Sequence, residues 1–269
     1  MFVKASVEMR IENVTETGLL RVCRRFLAQD PVANVLVLGD LYAPLLGVSD
    51  VYAAFQNSRL VGVCAVFCGY SKPSIVFGAE TPEAKHALIE TAVNRDSNEF
   101  ISLCSPNDAR LFEECSIILH QHSEQQMVAD PPKQIKCEGA KVEKVDENEL
   151  EALDKFYRQH HAEAWIPMQL KVGLYYWVRQ DGKIVSAAGV HVVTPHVAQL
   201  GNIVTDEAYR NRGYATACTS VLAADLASKG RIISLFVKTN NHSAIRMYKK
   251  LGFRKVREVE FLVLKKKNA

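Results

Sequence analysis

The chain has 269 residues, 48% of them hydrophobic and 23% charged, with a formal net charge of +3. Those values match ordinary globular proteins and exclude a disordered chain, and no apolar run approaches the roughly 20 residues that span a bilayer. Met1 to Ile11 carries charges where a secretory leader needs an apolar stretch, so a cytoplasmic protein away from membranes is expected.

Charge is unevenly distributed. Met1 to Ala140 holds 12 basic and 17 acidic residues, whereas the remainder holds 21 and 13, so the second half suits an anionic ligand. The Lys265, Lys266, Lys267 run has no interleaved aromatic residues and reads as a solvated tail, so no nucleic acid partner is expected. Seven cysteines form no C-x-x-C pair. Cys64 and Cys68 have no nearby histidine, and reduced core thiols rather than a metal site are expected.

In chain order, "ETGLLRVCRRFLAQD" predicts a helix, followed by "VYAAFQ" and "RLVGVCAVF", two strands joined by the turn Asn57-Ser58. "SIVFGAETPEAKHALIE" places Thr81 as N-cap and Pro82 at the first helical position. "FISLCSPNDARLFEE" reads as strand then helix. Pro131, Pro132 and Gly139 then punctuate a polar stretch without amphipathic period, and they predict two domains, 1–137 and 138–269.

Beyond that boundary the order repeats. "DENELEALDKFYRQHH" opens with Asp146 and Glu149 at capping-box spacing, carries Leu150, Leu153 and Tyr157 along one face, and ends at the pair His160 and His161. "LYYWVRQDGKIVSAAGVHVV" places Asp181-Gly182 at a hairpin turn. "IISLFVKTNNHSAIRMYKK" is again strand then helix, and Ile233-Ser234-Leu235 repeats Ile101-Ser102-Leu103. Duplication of one α/β unit is the expectation.

"GNIVTDEAYRNRGYATACTSVL" runs from a strand through an Arg/Gly loop into a helix that shows Ala215, Cys218, Leu222 and Leu226 on one face and stops at Lys229-Gly230. Gly213 and Ala215 at the helix start leave backbone N–H groups open to an anion such as a pyrophosphate, where the helix dipole adds about half a positive charge. A strand–helix turn without a ligand is the alternative.

Two motifs together are more specific. Arg210-Asn211-Arg212-Gly213-Tyr214-Ala215 resembles the Q/R-x-x-G-x-G/A signature of the GNAT superfamily of acyl-CoA-dependent N-acyltransferases, and Asn241, Ala244, Tyr248, Gly252 and Phe253 resemble its following motif. The resemblance covers roughly Lys141 to Val263. It implies tandem GNAT-like mixed sheets flanked by helices, the second carrying the CoA site and the first a degenerate copy that covers a sheet edge, walls the acceptor site or stabilises the fold. It further implies acetyl-CoA or another acyl-CoA as co-substrate and an amine acceptor, either a small molecule or a protein amino group. Ile203, Val204 and Thr205 would pair with the pantetheine arm; Asn211, Arg212, Gly213, Tyr214, Ala215 and Thr216 would cradle the pyrophosphate. Asn241 would bond the cofactor arm, and Tyr248 would protonate the leaving thiolate.

One departure stands out. Members that use a glutamate base carry it eleven positions before the signature, which here is Gln199. A water chain, another residue such as His191, or an amine that binds already neutral would have to serve. A non-catalytic acyl-CoA-binding regulator is the alternative that the missing glutamate favours and Tyr248 disfavours.

Overall fold

A computed structural model describes residues 9–267 apart from Lys136, so most of the charged N-terminal stretch lies outside the described residues. The elements run β1 (Met9–Asn13), α1 (Thr17–Leu27), α2 (Val35–Asp40), β2 (Ser49–Gln56), β3 (Arg59–Phe67), β4 (Ser74–Ala79), α3 (Pro82–Val93), β5 (Glu99–Cys104), α4 (Pro106–Cys115) and β6 (Ser116–Ala129). They continue with β7 (Val142–Lys144), α5 (Leu150–Gln159), α6 (Gln169–Val172), β8 (Tyr175–Gln180), β9 (Lys183–Val193), β10 (Val197–Thr205), α7 (Tyr214–Ser228), β11 (Ile232–Lys238), α8 (His242–Lys250) and β12 (Arg254–Lys266). No described helix is long and apolar enough to cross a membrane.

Two compact units result. One comprises 1–123 with 259–269, the other 124–258. The boundary expected at 137/138 therefore falls inside the second unit, because long-range strand pairing rather than the Pro/Gly punctuation assigns the flanking segments. Glu124–Ala129 of β6 pair with β11, and Glu260–Lys265 of β12 pair with β5. Lys265 and Lys266 accordingly end a strand, and Lys267 Nζ donates to the carbonyls of Glu113 and Glu114 at 2.7 Å, so the basic run is a strand end rather than the tail expected, with Lys265 and Lys267 exposed.

In the first unit β1 to β4 form an antiparallel meander, and β4 runs parallel to β5 through the crossover α3. The turn at Asn57 and Ser58 has φ of +50° and +64°, as a tight hairpin requires. Two cores sandwich this sheet, one under α1 and α2 (Cys23, Leu27, Leu38, Val63), the other under α3 and α4 (Leu88, Ile89, Phe112, Leu262).

The second unit repeats the plan. β7, β8, β9 and β10 pair antiparallel in sequence, β10 runs parallel to β11 through the crossover α7, and β6 lines the far side of β11. Asp146 and Glu149 form the expected capping box, with the Asp146 amide donating to Glu149 Oε2 at 3.1 Å. The β8–β9 hairpin turns at Asp181 and Gly182, both with positive φ. His160 caps the end of α5 and His161 takes φ +51°, so the histidine pair is a helix-end feature. One core faces α7 and α8 (Cys218, Leu222, Leu226, Leu235, Tyr248), and another, richer in aromatic residues, faces α5 and α6 (Tyr157, Trp165, Tyr175, Trp177). All seven cysteines are free thiols, among them the buried Cys64 and the exposed Cys68.

Candidate active site

β10 decides the geometry. Its Val197–Leu200 segment pairs with β11 at Ile232–Leu235, and the pairing then stops, while β10 continues to Thr205 alongside β9. The two parallel strands therefore part beyond Leu200, and the β11-facing edge of Gly201–Thr205 is left without a strand neighbour among the described residues.

A bulge accompanies the opening. Gly201 and Val204 sit opposite Gly189 and Ala187, so β10 carries one residue more than β9 across this interval. Asn202 absorbs it with φ +52°, a conformation asparagine tolerates better than most residues. A buried network fixes the kink: Asn202 Nδ2 donates to Gln169 Oε1 at 2.8 Å and to the Tyr175 hydroxyl at 3.1 Å, and the Tyr157 hydroxyl donates to the Asn202 carbonyl at 2.8 Å. Gln169 and Tyr157, both from the α5/α6 side, are thus what hold the opening in shape. Sequence reasoning missed this network, although Gly201-Asn202 within an apolar strand was its visible signal.

The expected pantetheine residues Ile203, Val204 and Thr205 lie on the opened segment. Ser186 Oγ donates to the Val204 carbonyl at 3.1 Å and shares a hydrogen bond of 2.8 Å with Thr205 Oγ1, which anchors this end of β10 to β9.

Past Asp206 the chain turns through Arg210, Asn211 and Arg212 into α7. Asn211 and Gly213 are left-handed, at φ +63° and +81°, and Gly213 is the N-cap without any side-chain cap. The first helical bond runs from the Ala217 amide to the Gly213 carbonyl at 2.9 Å, so the amides of Tyr214, Ala215 and Thr216 have no acceptor within the helix. These amides, with the helix dipole, suit an anion. The Arg212 guanidinium lies 5.1 Å from the Tyr209 ring and donates to the Ala208 carbonyl, holding its charge beside the loop. Cys137 borders the same loop: a Cβ on Gly213 would stand 3.3 Å from its sulfur.

Asn241 caps α8, its Oδ1 accepting from the Ala244 amide at 3.1 Å, so that side-chain oxygen has a structural task. Two turns after Asn241, Tyr248 is buried in the α7/α8 core with its ring 5.8 Å from Phe253. Its hydroxyl has no protein partner among the described residues, and burial pushes its pKa far above the ordinary phenol value, so it stays protonated.

On the sheet face opposite α7, Gln199 is 1% exposed; its Nε2 donates to the Leu200 carbonyl at 3.4 Å and its Oε1 has no partner among the described residues. Beside it on β11 stands Ser234, whose Oγ accepts from Gln126 Nε2 at 3.0 Å, and Arg257 Nε donates to Gln126 Oε1 at 2.6 Å.

The FR47-like protein family matches residues 175–262, which span β8 through most of β12. No curated protein matches. Among solved structures, a GNAT-family protein from Novosphingobium aromaticivorans is 23% identical, with TM-score 0.61 over 76% of this chain and 89% of that one. A tandem GNAT protein from the clavulanic acid biosynthesis pathway is 13% identical with TM-score 0.65, covering 97% of this chain and all of that one. A GCN5-related N-acetyltransferase from Sphaerobacter thermophilus, 15% identical, gives 0.61 over 97% of both chains. At such identities the likeness is one of fold, and in the tandem protein it extends along nearly the whole chain. The FR47-like segment and the fold together make the chain similar to GNAT-family proteins.

Proposed function

We propose that the second unit transfers an acyl group, acetyl foremost, from its CoA thioester to an amine by direct attack. The observation that carries this reading is the parting of β10 from β11 beyond Leu200, next to the uncapped start of α7. An extended arm can pair with the open edge of Ile203, Val204 and Thr205, and a pyrophosphate can sit against the amides from Asn211 through Thr216. Asn241 would bond the arm through whatever capping leaves free.

The chemistry follows from the same strands. The amine attacks the thioester carbonyl, a backbone N–H of the opened β10 segment stabilises the developing oxyanion, and the C–S bond breaks. Tyr248, protonated and without a protein partner, gives its proton to the leaving thiolate. The acceptor class stays open between small amines and a protein amino group.

Thiol release from acetyl-CoA against a panel of primary amines, at mildly alkaline pH, tests the reading. Amine-dependent release is the expected result. Binding of acetyl-CoA without release against any amine would remove the transferase assignment.

A further inference from the structure

Gln199 replaces the carboxylate expected at this position, yet its surroundings are those of a binding site. Leu200 and Ala198 point into the α7 core, so Gln199 and Gly201, on alternate positions, share the opposite face of β10. His191 joins them there. It is the extra residue of β9 between Val190, opposite Leu200, and Val192, opposite Gln199, and this bulge turns its ring over β10. A Cβ on Gly201 would fall 2.2 Å from His191 Nε2, so only glycine leaves room for the ring. Gly201 is also the first residue past the paired segment, which puts Nε2 at the mouth of the opening.

Two buried atoms without partners among the described residues therefore stand on adjacent strands of one face: His191 Nε2 and Gln199 Oε1. Such atoms are costly unless something fills them. Asn202, whose Nδ2 hydrogens go to Gln169 and Tyr175, stands close enough to the ring to oppose the effect of its burial. To act as a base His191 must carry its N–H at Nδ1 and leave the lone pair on the unpartnered Nε2. Burial lowers the histidine pKa, against the opposing pull of Asn202, and keeps the ring neutral near pH 7.

We propose that His191 Nε2 and Gln199 Oε1 grip the acceptor amine, His191 as the general base that takes its proton and Gln199 as the acceptor that orients its second N–H. The inference rests on the acyl-transfer reading. In the step, the C–N bond forms as the C–S bond breaks. One proton passes from the amine nitrogen to Nε2, the thiolate receives the Tyr248 proton, and both side chains are restored by exchange with solvent. Two acceptors and no donor at this point select a primary amine, whose two N–H groups can reach both, over a hydroxyl, which can satisfy only one of them.

The test compares parent, His191→Gln and Gln199→Leu with acetyl-CoA and primary amines from weakly basic glycinamide to strongly basic n-butylamine. For His191→Gln we expect kcat/KM to fall about a hundredfold for butylamine and clearly less for glycinamide, which is largely neutral at the assay pH, with CoA affinity unchanged. For Gln199→Leu, KM for the amine rises and kcat is less affected. Equal losses for both amines, or none, would overturn the base assignment. NMR of ¹⁵N-histidine-labelled parent protein reads the ring independently of turnover: a neutral His191 with unprotonated Nε2 is expected, and a proton on Nε2 would overturn the proposal. If no amine is turned over while Nε2 is unprotonated, the acyl-transfer reading fails and the tautomer assignment stands.

Discussion

The two crossover helices start in opposite ways. α3, leaving β4 in the first unit, has Thr81 as N-cap with Oγ1 accepting from the Ala84 amide at 3.2 Å, and Pro82 follows with no N–H to satisfy. α7, leaving β10 in the second, has Gly213 in a left-handed conformation and no side-chain cap. The same topological position is closed by its own side chains in one unit and open in the other. On the proposed function, a repeated fold would support anion binding only where the helix start leaves its amides free, so such a site would depend on a few junction residues more than on the architecture.

Four changes would break or sharpen that contrast. The largest effect should come from Tyr248→Phe, which keeps the buried ring and removes the hydroxyl proposed as proton donor. Turnover under conditions where chemistry limits the rate should fall about a hundredfold with CoA affinity nearly constant, and stopped-flow or steady-state kinetics reads it. An unchanged turnover number would leave Tyr248 a packing residue.

Gly213→Val strains a left-handed residue and crowds the loop that Cys137 borders at 3.3 Å. We expect CoA affinity to drop at least about tenfold, seen calorimetrically as loss of the CoA-induced rise in melting temperature. Persistence of that rise would refute the open-helix assignment.

Asp40→Asn tests the first unit's own chemistry. Burial raises the Asp40 pKa to about 8 from an ordinary 3.8. The folded state therefore holds the proton more tightly, and the stability this contributes is complete below about pH 3.8 and lost as pH climbs through about 8. The asparagine variant should melt higher than the parent at pH 8, by roughly 3 °C per kcal/mol recovered, with the gap closing toward pH 4. A pH-independent gap would contradict the burial account.

The smallest effect should be Thr81→Ala, costing about 1 kcal/mol of stability by denaturant unfolding and leaving CoA affinity untouched. A change in CoA affinity would mean that the closed junction also contributes to binding.

Local signals in the sequence carried much of this. The Asp146/Glu149 capping box, the two hairpin turns, the strand–helix repeats and the Thr81-Pro82 cap are each set within a few residues, and the structure has them where spacing put them. The Gly213 loop was readable for the same reason. What escaped was non-local. The β6 and β12 pairings that move the unit boundaries, and the Gln169–Asn202–Tyr175 bonds that hold the β10 bulge, join residues far apart in the chain. His191 could be named from sequence only as one alternative, because its value depends on a bulge that turns it toward Gly201.

The course of β12 bears on the order of assembly during synthesis. The second unit is one unbroken stretch, 124–258, and holds all its strands once that stretch has left the ribosome. The first unit, although made earlier, lacks the strand that pairs Glu260 with Cys104 until the last part of the chain emerges. The usual vectorial rule, in which the N-terminal body matures first, is therefore inverted here: β5 must wait with one edge bare while the later-made unit closes.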